Sequence, residues 1–414
     1  MTTITSAQAN KILQAALFTQ TTRANSFLNM LTDTAPAPTS ATGQTVGGRT
    51  QTPYGAPVVR VTDLNKEKGD EVDMQIVFNL SNRPTMGDKK IEGRGEDMSF
   101  GSFALKINQY RHNVDAGGKM SQQRFKHDLR ATAKALLGTY VNRLQDQIST
   151  IHLAGARGDF MAPDTIVPLA SHSEFADIMV NPVRPPTYDR HFFAGDATSV
   201  ETIDASDTFT LQSVDDMALR LSEMSNPIMP IRYSGEGVVN MDPFHILFIT
   251  PRQWHDFWQS TSGKEWQQLT AEAVTRSQGL NHPAFGGLKK AFWNGILVTT
   301  YPGMPIRFNQ GSTVTVSTNT DAATTAQVTA ATTIDRAILV GAQALASAYG
   351  NTGAGQFFGY HEEKTDHENS SETSVRWIQG ISKVRFGNQA GRVNDYGVMV
   401  LDSAVSTGGL SSAN

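Results

Sequence analysis

Cysteine is absent from this chain of 414 residues. Its absence excludes disulfides, thiolate metal sites and a cysteine nucleophile, and a reducing cytoplasm is the simplest setting for such a chain. No run of 18 apolar residues occurs, and the N-terminus has no basic segment followed by an apolar one. The sequence therefore predicts neither a membrane span nor a secretory signal, and we expect the protein to be made in a cytoplasm.

A strong excess of charge of either sign is lacking as well. The chain has 35 basic and 39 acidic residues, which gives a formal net charge of -4. A dedicated nucleic-acid binder neutralises phosphates with clustered lysine and arginine, so this balance argues against one. With 39% hydrophobic and 18% charged residues the composition is that of a globular protein, and the length is enough for two or more lobes.

Motifs for catalysis or cofactor binding are also lacking. The segment from His361 to Glu368 contains two histidines and four carboxylates, but its histidines are six residues apart and do not have the helical spacing of a zinc motif. A solvated charged turn is the favoured interpretation, and a metal site is the alternative. Residues 353–355 lack the third glycine of a dinucleotide loop, and residues 117–121 depart from a phosphate-binding loop. The sequence thus predicts no catalytic residue, no cofactor and no metal ligand.

Two further groups of side chains have both a structural and a functional interpretation. Arg111 and His112 could pair with an acidic partner on a neighbouring subunit, and an ordinary surface position is the alternative. Near-helical spacing favours core packing over a stacking platform for bases or sugars at four aromatic residues. These are Trp254, Phe257, Trp258 and Trp266.

Apolar residues at steps of three and four predict several helices. The longest covers residues 119–154 and would span roughly 50 Å. Shorter helices are predicted at 211–224, after Pro251 and at 342–349. An amphipathic helix at 6–31 precedes a segment rich in threonine, alanine, glycine and proline at 32–56, which we expect to be an extended arm.

Alternating or continuous apolar residues predict strands along the rest of the chain. The predicted strands lie at 58–61, 73–80, 103–110, 244–249, 296–300, 304–308, 312–317, 334–340, 375–381, 383–386 and 398–401. The charged segment 81–99 is far longer than a hairpin connection, so we expect it to reach another subunit. The stretch 318–333 is rich in threonine and alanine and is predicted to be an exposed loop.

Short motifs in a fixed order give the sequence a family resemblance. Within residues 57–155 they are Gly69-Asp70-Glu71-Val72, Ile91-Glu92-Gly93, the run from Asn108 to His112 and the run from Gly117 to Arg124. Within residues 334–402 they are the run from Arg336 to Ala344, the run from Ile378 to Ile381 and the run from Asp395 to Val398. In this order they resemble the major capsid proteins of the N-four-like podoviruses, which are tailed bacteriophages.

The resemblance implies an α+β fold of the HK-ninety-seven type. It divides the chain into an N-terminal arm, an extended loop (E-loop) with its flanking strands, a peripheral domain that contains a spine helix at 119–154, an axial domain and C-terminal strands that return to the peripheral domain. The corresponding ranges are 1–56, 57–118, 119–240, 241–350 and 351–414.

The resemblance also implies a function. The chain would self-assemble through hexamers and pentamers into the icosahedral head of a tailed phage, with arms and extended loops lying on adjacent subunits. Its location would be the virion, after assembly in the host cytoplasm. The implied partners are further copies, a portal protein, separate scaffolding and decoration proteins, and double-stranded DNA that is enclosed without sequence-specific binding.

Two other classes of protein are alternatives to this interpretation. A shell protein of a cellular nanocompartment would have the same fold, and particle diameter would separate it from a phage head. An enzyme would need a defined pocket lined by acids or bases with perturbed pKa values. We expect a structural protein and not an enzyme.

Overall fold

The computed structural model describes most of the chain beyond the predicted arm. The described residues are 31, 45–46, 49–50, 55–61, 70–77, 83–98, 100–119, 129–224, 226–232, 244–279, 290–301, 304–319, 324–351, 357–365, 367, 369–387 and 393–405. The predicted helix at 6–31 lies outside them except for Leu31, which is helical and fully buried. Residues 353–355 also lie outside.

Five α-helices are present in the described part of the chain, together with a short 3-10 helix at Tyr188–Arg190. They are α1 (Leu129–Ala154), α2 (Phe175–Met179), α3 (Leu211–Glu223), α4 (Pro251–Ser260) and α5 (Gly263–Gly279). Among them, none is both long and apolar enough to cross a membrane. The 26 residues of α1 span about 39 Å, and residues 120–128 of the predicted helix lie outside the described residues.

Two helix ends follow the signals in the sequence. Gly155 ends α1 with a φ of 67°, a left-handed conformation that glycine adopts at little cost, and its N–H donates to the Ile151 carbonyl at 2.9 Å. Thr250 caps α4 by accepting a hydrogen bond from the Gln253 amide at 3.2 Å. Pro251 occupies the first turn of α4, as its position predicts.

Twenty strands are present in the same described ranges and surround these helices. They are β1 (Thr45–Val46), β2 (Arg49–Thr50), β3 (Val58–Val61), β4 (Glu71–Val77), β5 (Phe100–Lys106), β6 (Asn108–Gly118), β7 (His191–Phe193), β8 (His245–Ile249), β9 (Lys290–Trp293), β10 (Ile296–Thr300), β11 (Arg307–Phe308), β12 (Thr313–Ser317), β13 (Thr325–Thr329), β14 (Ile334–Val340), β15 (Leu345–Tyr349), β16 (Phe358–Thr365), β17 (Ser370–Lys383), β18 (Arg385–Gly387), β19 (Val393–Asp395) and β20 (Val398–Ala404). Together with the helices they form a mixed α+β structure.

The largest sheet has seven strands and lies in the middle of the core. Its order is β7-β20-β14-β8-β10-β9, and β11 also pairs with β14. Every residue of β14 and β20 is buried, because apolar clusters cover both faces of the sheet. Strand β20 lies between β7 and β14, although it follows all other strands of the sheet along the chain.

A second sheet has five strands and only partly covered faces. Its order is β16-β17-β15-β3, and β6 pairs with the opposite edge of β17. One face packs on α1, because Tyr360, Val375 and Trp377 belong to the same apolar cluster as Leu137 and Leu144 of the helix. The ring of Tyr110 on β6 stacks on Trp377 with centroids 5.2 Å apart.

The predicted helix at 342–349 is wrong. Its alanine-rich sequence favours a helix, but residues 345–349 form β15, which pairs with β17 on one side and with β3 on the other. Two ladders of backbone hydrogen bonds in a buried position outweigh the local helix propensity of alanine.

The prediction of an exposed loop over 318–333 is also partly wrong. Residues 325–329 form β13, which pairs in antiparallel register with β12. Threonine and valine are β-branched residues that favour a strand even where only one side is covered, and Val328 packs against the main core. In addition, the strand predicted at 304–308 is limited to Arg307 and Phe308.

Candidate functional site

A two-stranded ribbon extends from the five-stranded sheet, and we call it the projection (described residues 70–77, 83–98 and 100–106). Strands β4 and β5 pair from Glu71 with Lys106 to Val77 with Phe100. Beyond this pairing, residues 83–98 contain no helix or strand, and all but Thr85 and Glu96 are exposed. We call residues 83–98 the tip.

Apolar side chains are exposed on and beside this tip. The exposed fractions are 70% for Met86, 74% for Ile91, 66% for Met98 and 59% for Phe100. Gly87 and Gly93 have positive φ angles of 65° and 76°, and no atom lies within 4 Å of where a Cβ would be. The tip therefore turns in open space, with an apolar surface that the described part of its own subunit does not cover.

The base of the projection is packed firmly. Val72, Phe103 and Leu105 are buried in an apolar cluster with alanines of β15 and valines of β3. A Cβ at Gly380 would lie 1.9 Å from the carbonyl oxygen of Lys106, so the backbone of the projection crosses directly over that glycine of β17. The ribbon thus leaves the five-stranded sheet on the face opposite to α1.

Asn181 fixes the point where the projection leaves the body. Its Oδ1 accepts from the Lys106 amide at 3.0 Å, and its Nδ2 donates to the Lys106 carbonyl at 2.9 Å. The same Nδ2 donates to the carbonyl of Ile381 at 3.1 Å. Sequence reasoning missed this residue, because a single asparagine 75 positions away from its partner leaves no pattern.

A buried ion-pair network ties the centre of the seven-stranded sheet together. Arg336 on β14 donates from Nε to Asp402 Oδ1 on β20 at 2.7 Å, and neither side chain is exposed. Its Nη1 donates to the carbonyl of Ala154 at the end of α1, at 3.0 Å. His191 Nε2 lies 2.7 Å from Asp402 Oδ2.

Burial and neighbouring charged groups determine the protonation states of the side chains in this network. Burial alone would raise the pKa of Asp402, but the Arg336 guanidinium and hydrogen bonding outweigh it and hold that pKa well below its usual range. Burial lowers the pKa of His191 despite the adjacent carboxylate. We therefore assign His191 as neutral near pH 7, donating from Nε2 to Asp402.

Two further buried carboxylates hold neighbouring elements. Asp335 Oδ1 accepts from Arg307 Nε at 2.6 Å, and its Oδ2 accepts from the Thr250 hydroxyl at 2.5 Å, which links β11, β14 and the start of α4. Asp395 accepts from Lys383 Nζ at 2.7 Å and from Arg385 Nε at 2.9 Å. Each carboxylate is paired within its own subunit, as buried charges need to be.

The charged segment 361–368 is only in part the solvated turn that its composition predicts, since His367 lies exposed in a turn between β16 and β17. Residues 361–365 belong to β16, because backbone pairing with β17 continues from Phe358 to Thr365. His361 and Glu363 are exposed on the strand, and Asp366 and Glu368 lie outside the described residues. Within the described part of the chain no three histidine, aspartate or glutamate side chains are grouped so that they could hold a metal ion.

The other candidate residues lie in separate places. Trp254 and Phe257 are buried in the core against Trp266, whereas Trp258 is 54% exposed. Gly117 and Gly118 end β6 and are not a turn. His112 stacks on Tyr140 of α1 with ring centroids 4.1 Å apart, and Arg111 is exposed beside it.

A groove of about 1110 Å³ lies beside β7, α3 and the β12–β13 hairpin. Among its lining residues, Arg190 and His191 have pKa values lowered by burial. His191 is held by Asp402, and Arg190 donates to the Asn226 carbonyl. These contacts give both groups a structural role.

Comparison with solved structures places this arrangement among phage capsids. The chain is similar to a chain of the capsid of Ralstonia phage GP4, with 26% identity, a TM-score of 0.70, and coverage of 91% of this chain and 96% of the other. It is similar to a chain of the cyanophage Pam1 capsid, with 19% identity, a TM-score of 0.57, and coverage of 86% and 90%. The capsid of Helicobacter pylori bacteriophage KHP30 gives 15% identity, a TM-score of 0.55, and coverage of 85% and 89%.

The family of the chain is given by a model described as "Phage capsid protein", which matches residues 1–407. A comparison with curated protein sequences gives no match. The family match and the structural matches show a major capsid protein, a structural protein of the virion that associates with further copies of itself to form the phage head. The chain belongs to the phage capsid protein family.

Proposed function

We propose that this capsid protein has an HK-ninety-seven-type subunit and builds an icosahedral head from hexamers and pentamers. In this proposal α1 is the spine helix of a peripheral domain, the projection is the extended loop, and residues 1–56 are the N-terminal arm. The axial domain covers residues 241–350, and residues 351–414 return to the peripheral domain. The resemblance of the short motifs supports a place among the N-four-like podoviruses.

One observation carries this proposal, namely the exposed apolar side chains at the tip of the projection. A subunit that exposes Met86, Ile91 and Met98 on a thin ribbon gains free energy when a neighbouring copy covers them. Symmetry repeats such a modest contact many times over a closed shell. Extended elements that bury little in the isolated subunit are therefore stabilised by assembly.

The proposal includes partners that follow from this role. A portal protein, a separate scaffolding protein and decoration proteins would join the shell, which would be assembled in the host cytoplasm. Double-stranded DNA would be enclosed without sequence-specific binding, which the formal net charge of -4 supports.

Assembly of a tip variant tests the proposal. The triple variant Met86→Ser, Ile91→Ser and Met98→Ser removes the exposed apolar surface without touching the core. We expect the purified parent chain to form uniform closed particles by negative-stain electron microscopy. We expect the variant to keep the parent's thermal unfolding curve and to remain as small species.

Leu169→Ser is the matched control, because it removes an exposed leucine outside the projection. It should assemble as the parent does. A triple variant that forms particles at the parent's concentration would contradict the proposed role of the projection.

A further inference from the structure

Strand β7 lies at the edge of the seven-stranded sheet, and its outer side is open. Within the described ranges β7 pairs with β20 alone. The Ala194 N–H donates to the Asp402 carbonyl at 3.0 Å, and backbone groups alternate in direction along a strand, so those of Phe193 point away from β20. In the part of the chain that the structure describes, neither the N–H nor the C=O of Phe193 makes a hydrogen bond. An unpaired strand edge of this kind can accept another strand.

The groove of about 1110 Å³ runs along this open edge. Helix α3 forms one of its walls, and the β12–β13 hairpin forms the other. Tyr188 and Leu219 line the groove with exposed fractions of 54% and 55%, and Phe193, Val316 and Val328 line it as half-buried side chains. The groove thus combines unpaired backbone groups with apolar walls, which is the combination that binds an extended segment as an added strand.

Two buried polar atoms in the lining of the groove also lack partners. Arg190 is only 3% exposed, and its Nε has no hydrogen-bond partner among the described residues. The same holds for Oδ1 of Asn394, which lines the groove as well. Leaving a buried donor or acceptor unsatisfied is unfavourable. An occupant with small polar side chains would therefore stabilise the groove.

Segment 406–414 of the same chain has the composition that such a groove needs. It follows β20 directly and lies outside the described residues. Its sequence is Ser-Thr-Gly-Gly-Leu-Ser-Ser-Ala-Asn, with Leu410 as its one large apolar residue and no charged side chain. Leu410 suits the apolar walls, and the hydroxyl and amide groups of the other residues suit the unpaired polar atoms.

The position of β20 puts this segment within reach of the groove. Strand β20 ends at Ala404, and the outer edge of β7 lies two strand spacings away from β20, or about 10 Å. Nine extended residues reach about 30 Å. Thr208 bridges to Ala404 and occupies the space directly beside the end of β20, so the segment has to pass around Thr208 before it turns back. Gly408 and Gly409 can adopt the backbone angles that such a turn requires.

We propose that segment 406–414 turns back and lies in the groove of its own subunit as an added strand, antiparallel to β7, with Leu410 against Phe193 and Val328. The added strand pairs the open edge of the seven-stranded sheet, so the edge is no longer available to other chains. This inference goes beyond the proposed function, because it concerns a single subunit and not the contacts that build a shell.

Disulfide trapping tests the contact, and no native thiol interferes because the chain has no cysteine. The full-length double variant Leu410→Cys and Val328→Cys is oxidised with diamide under native conditions. We expect a disulfide within one chain, detected by mass spectrometry as a linked pair of peptides. Leu410→Cys with Gln327→Cys is the matched control, because Gln327 is the neighbour of Val328 on β13 but is exposed and does not line the groove. The control should give at least about tenfold less disulfide, since the bond needs Cβ atoms about 4 Å apart.

Three results of the trapping experiment overturn the inference. The first is a folded chain that forms no disulfide with the Val328 pair, and the second is an equal yield from the Gln327 pair. The third is a disulfide between two chains, seen as a covalent dimer on a non-reducing gel, because the occupant would then be the segment of a second copy. Each of these results leaves the proposed function standing, since none of them measures the assembly of a shell.

Hydrogen exchange gives a second measurement that needs no cysteine. A chain shortened to end at Val405 keeps all of β20, and its Phe193 amide should exchange on the order of tenfold faster than in the full-length chain, because it loses its hydrogen bond to the segment. The amide of Leu339, on the fully buried β14, is the internal control and should exchange at the same rate in both chains. Leu410→Ser in the full-length chain should likewise accelerate exchange at Phe193 and not at Leu339. An unchanged rate at Phe193 in both variants overturns the inference.

Discussion

The seven-stranded sheet and the projection differ in how far their side chains are buried within the subunit. Strands β14 and β20 are buried on both faces, and their charged side chains Arg336 and Asp402 are paired with each other. The projection has a buried base, but its tip exposes 74% of Ile91 to water. The central strands and their charges are paired within the subunit, whereas the tip has apolar surface that the described part of its own subunit leaves exposed. We therefore expect mutations in the sheet to lower the stability of the folded subunit, and mutations at the tip to impair assembly.

Removing one partner of the central ion pair should have the largest effect on folding. Arg336→Met leaves Asp402 buried and without its counter-charge, so we expect a loss of about 3–5 kcal/mol in the free energy of unfolding. Denaturant unfolding followed by circular dichroism measures it. The double variant Arg336→Met and Asp402→Leu removes both charges and should recover part of the loss. A loss below about 1 kcal/mol, the size typical of exposed pairs, would contradict the prediction.

Truncation at the base of the projection should be nearly as costly. Leu105 is fully buried, so Leu105→Ala loses apolar burial and leaves a cavity, with an expected loss of about 2–5 kcal/mol. The same denaturant measurement applies. This variant tests whether the base of the projection contributes to the stability of the folded subunit. A loss of unfolding free energy as small as that at an exposed site would show that it does not.

Acid should weaken the folded subunit through His152, which is buried on α1. Burial lowers its pKa from 6.5 to about 4, and its Nε2 has no hydrogen-bond partner among the described residues. Between those pH values the unfolded chain binds a proton that the folded chain does not, so stability falls as pH falls from 6.5 to 4. The contribution is about 3 kcal/mol.

His152→Asn removes this titrating group, so the loss of unfolding free energy between pH 7 and pH 4 should be about 3 kcal/mol smaller than in the parent. Carboxylates such as Asp402 are the same in both chains, so their contribution cancels in the difference. Equal pH dependence in the two chains would show that His152 titrates normally.

The smallest effect on folding is expected at the tip. Ile91→Ala should change the free energy of unfolding by less than about 0.5 kcal/mol, because the side chain has few contacts to lose. Its effect should appear only in the concentration needed for particle formation. A large loss of subunit stability would mean that the tip packs against its own subunit.

The sequence predicts the elements that follow local apolar patterns, but not those that depend on strand partners distant in the chain. Helix α3 and strand β14 follow local apolar patterns, and the structure confirms both. The helix predicted at 342–349 failed because its partners, β3 and β17, are distant in sequence and outweigh local propensity. The charged turn predicted at 361–368 is wrong for residues 361–365 for the same reason, since pairing with β17 makes them a strand.

The candidate site was predictable only in part. The length and charge of segment 81–99 indicated a loop that reaches outward, and the structure describes an exposed tip there. The pairing of β6 with β17 beside the projection could not be predicted, because it joins residues more than 250 positions apart in the chain. Cross-strand register decides which charges meet, and register is a property of the folded sheet.

The position of β20 has a consequence for the timing of assembly during synthesis. Because β20 lies inside the seven-stranded sheet and is translated after every other strand in it, a ribosome must release that segment before the sheet can close. Until then β14 lacks a neighbour along one edge, and its hydrogen-bonding groups are open to unwanted pairing. A subunit therefore cannot present a complete seven-stranded sheet until β20 has been made.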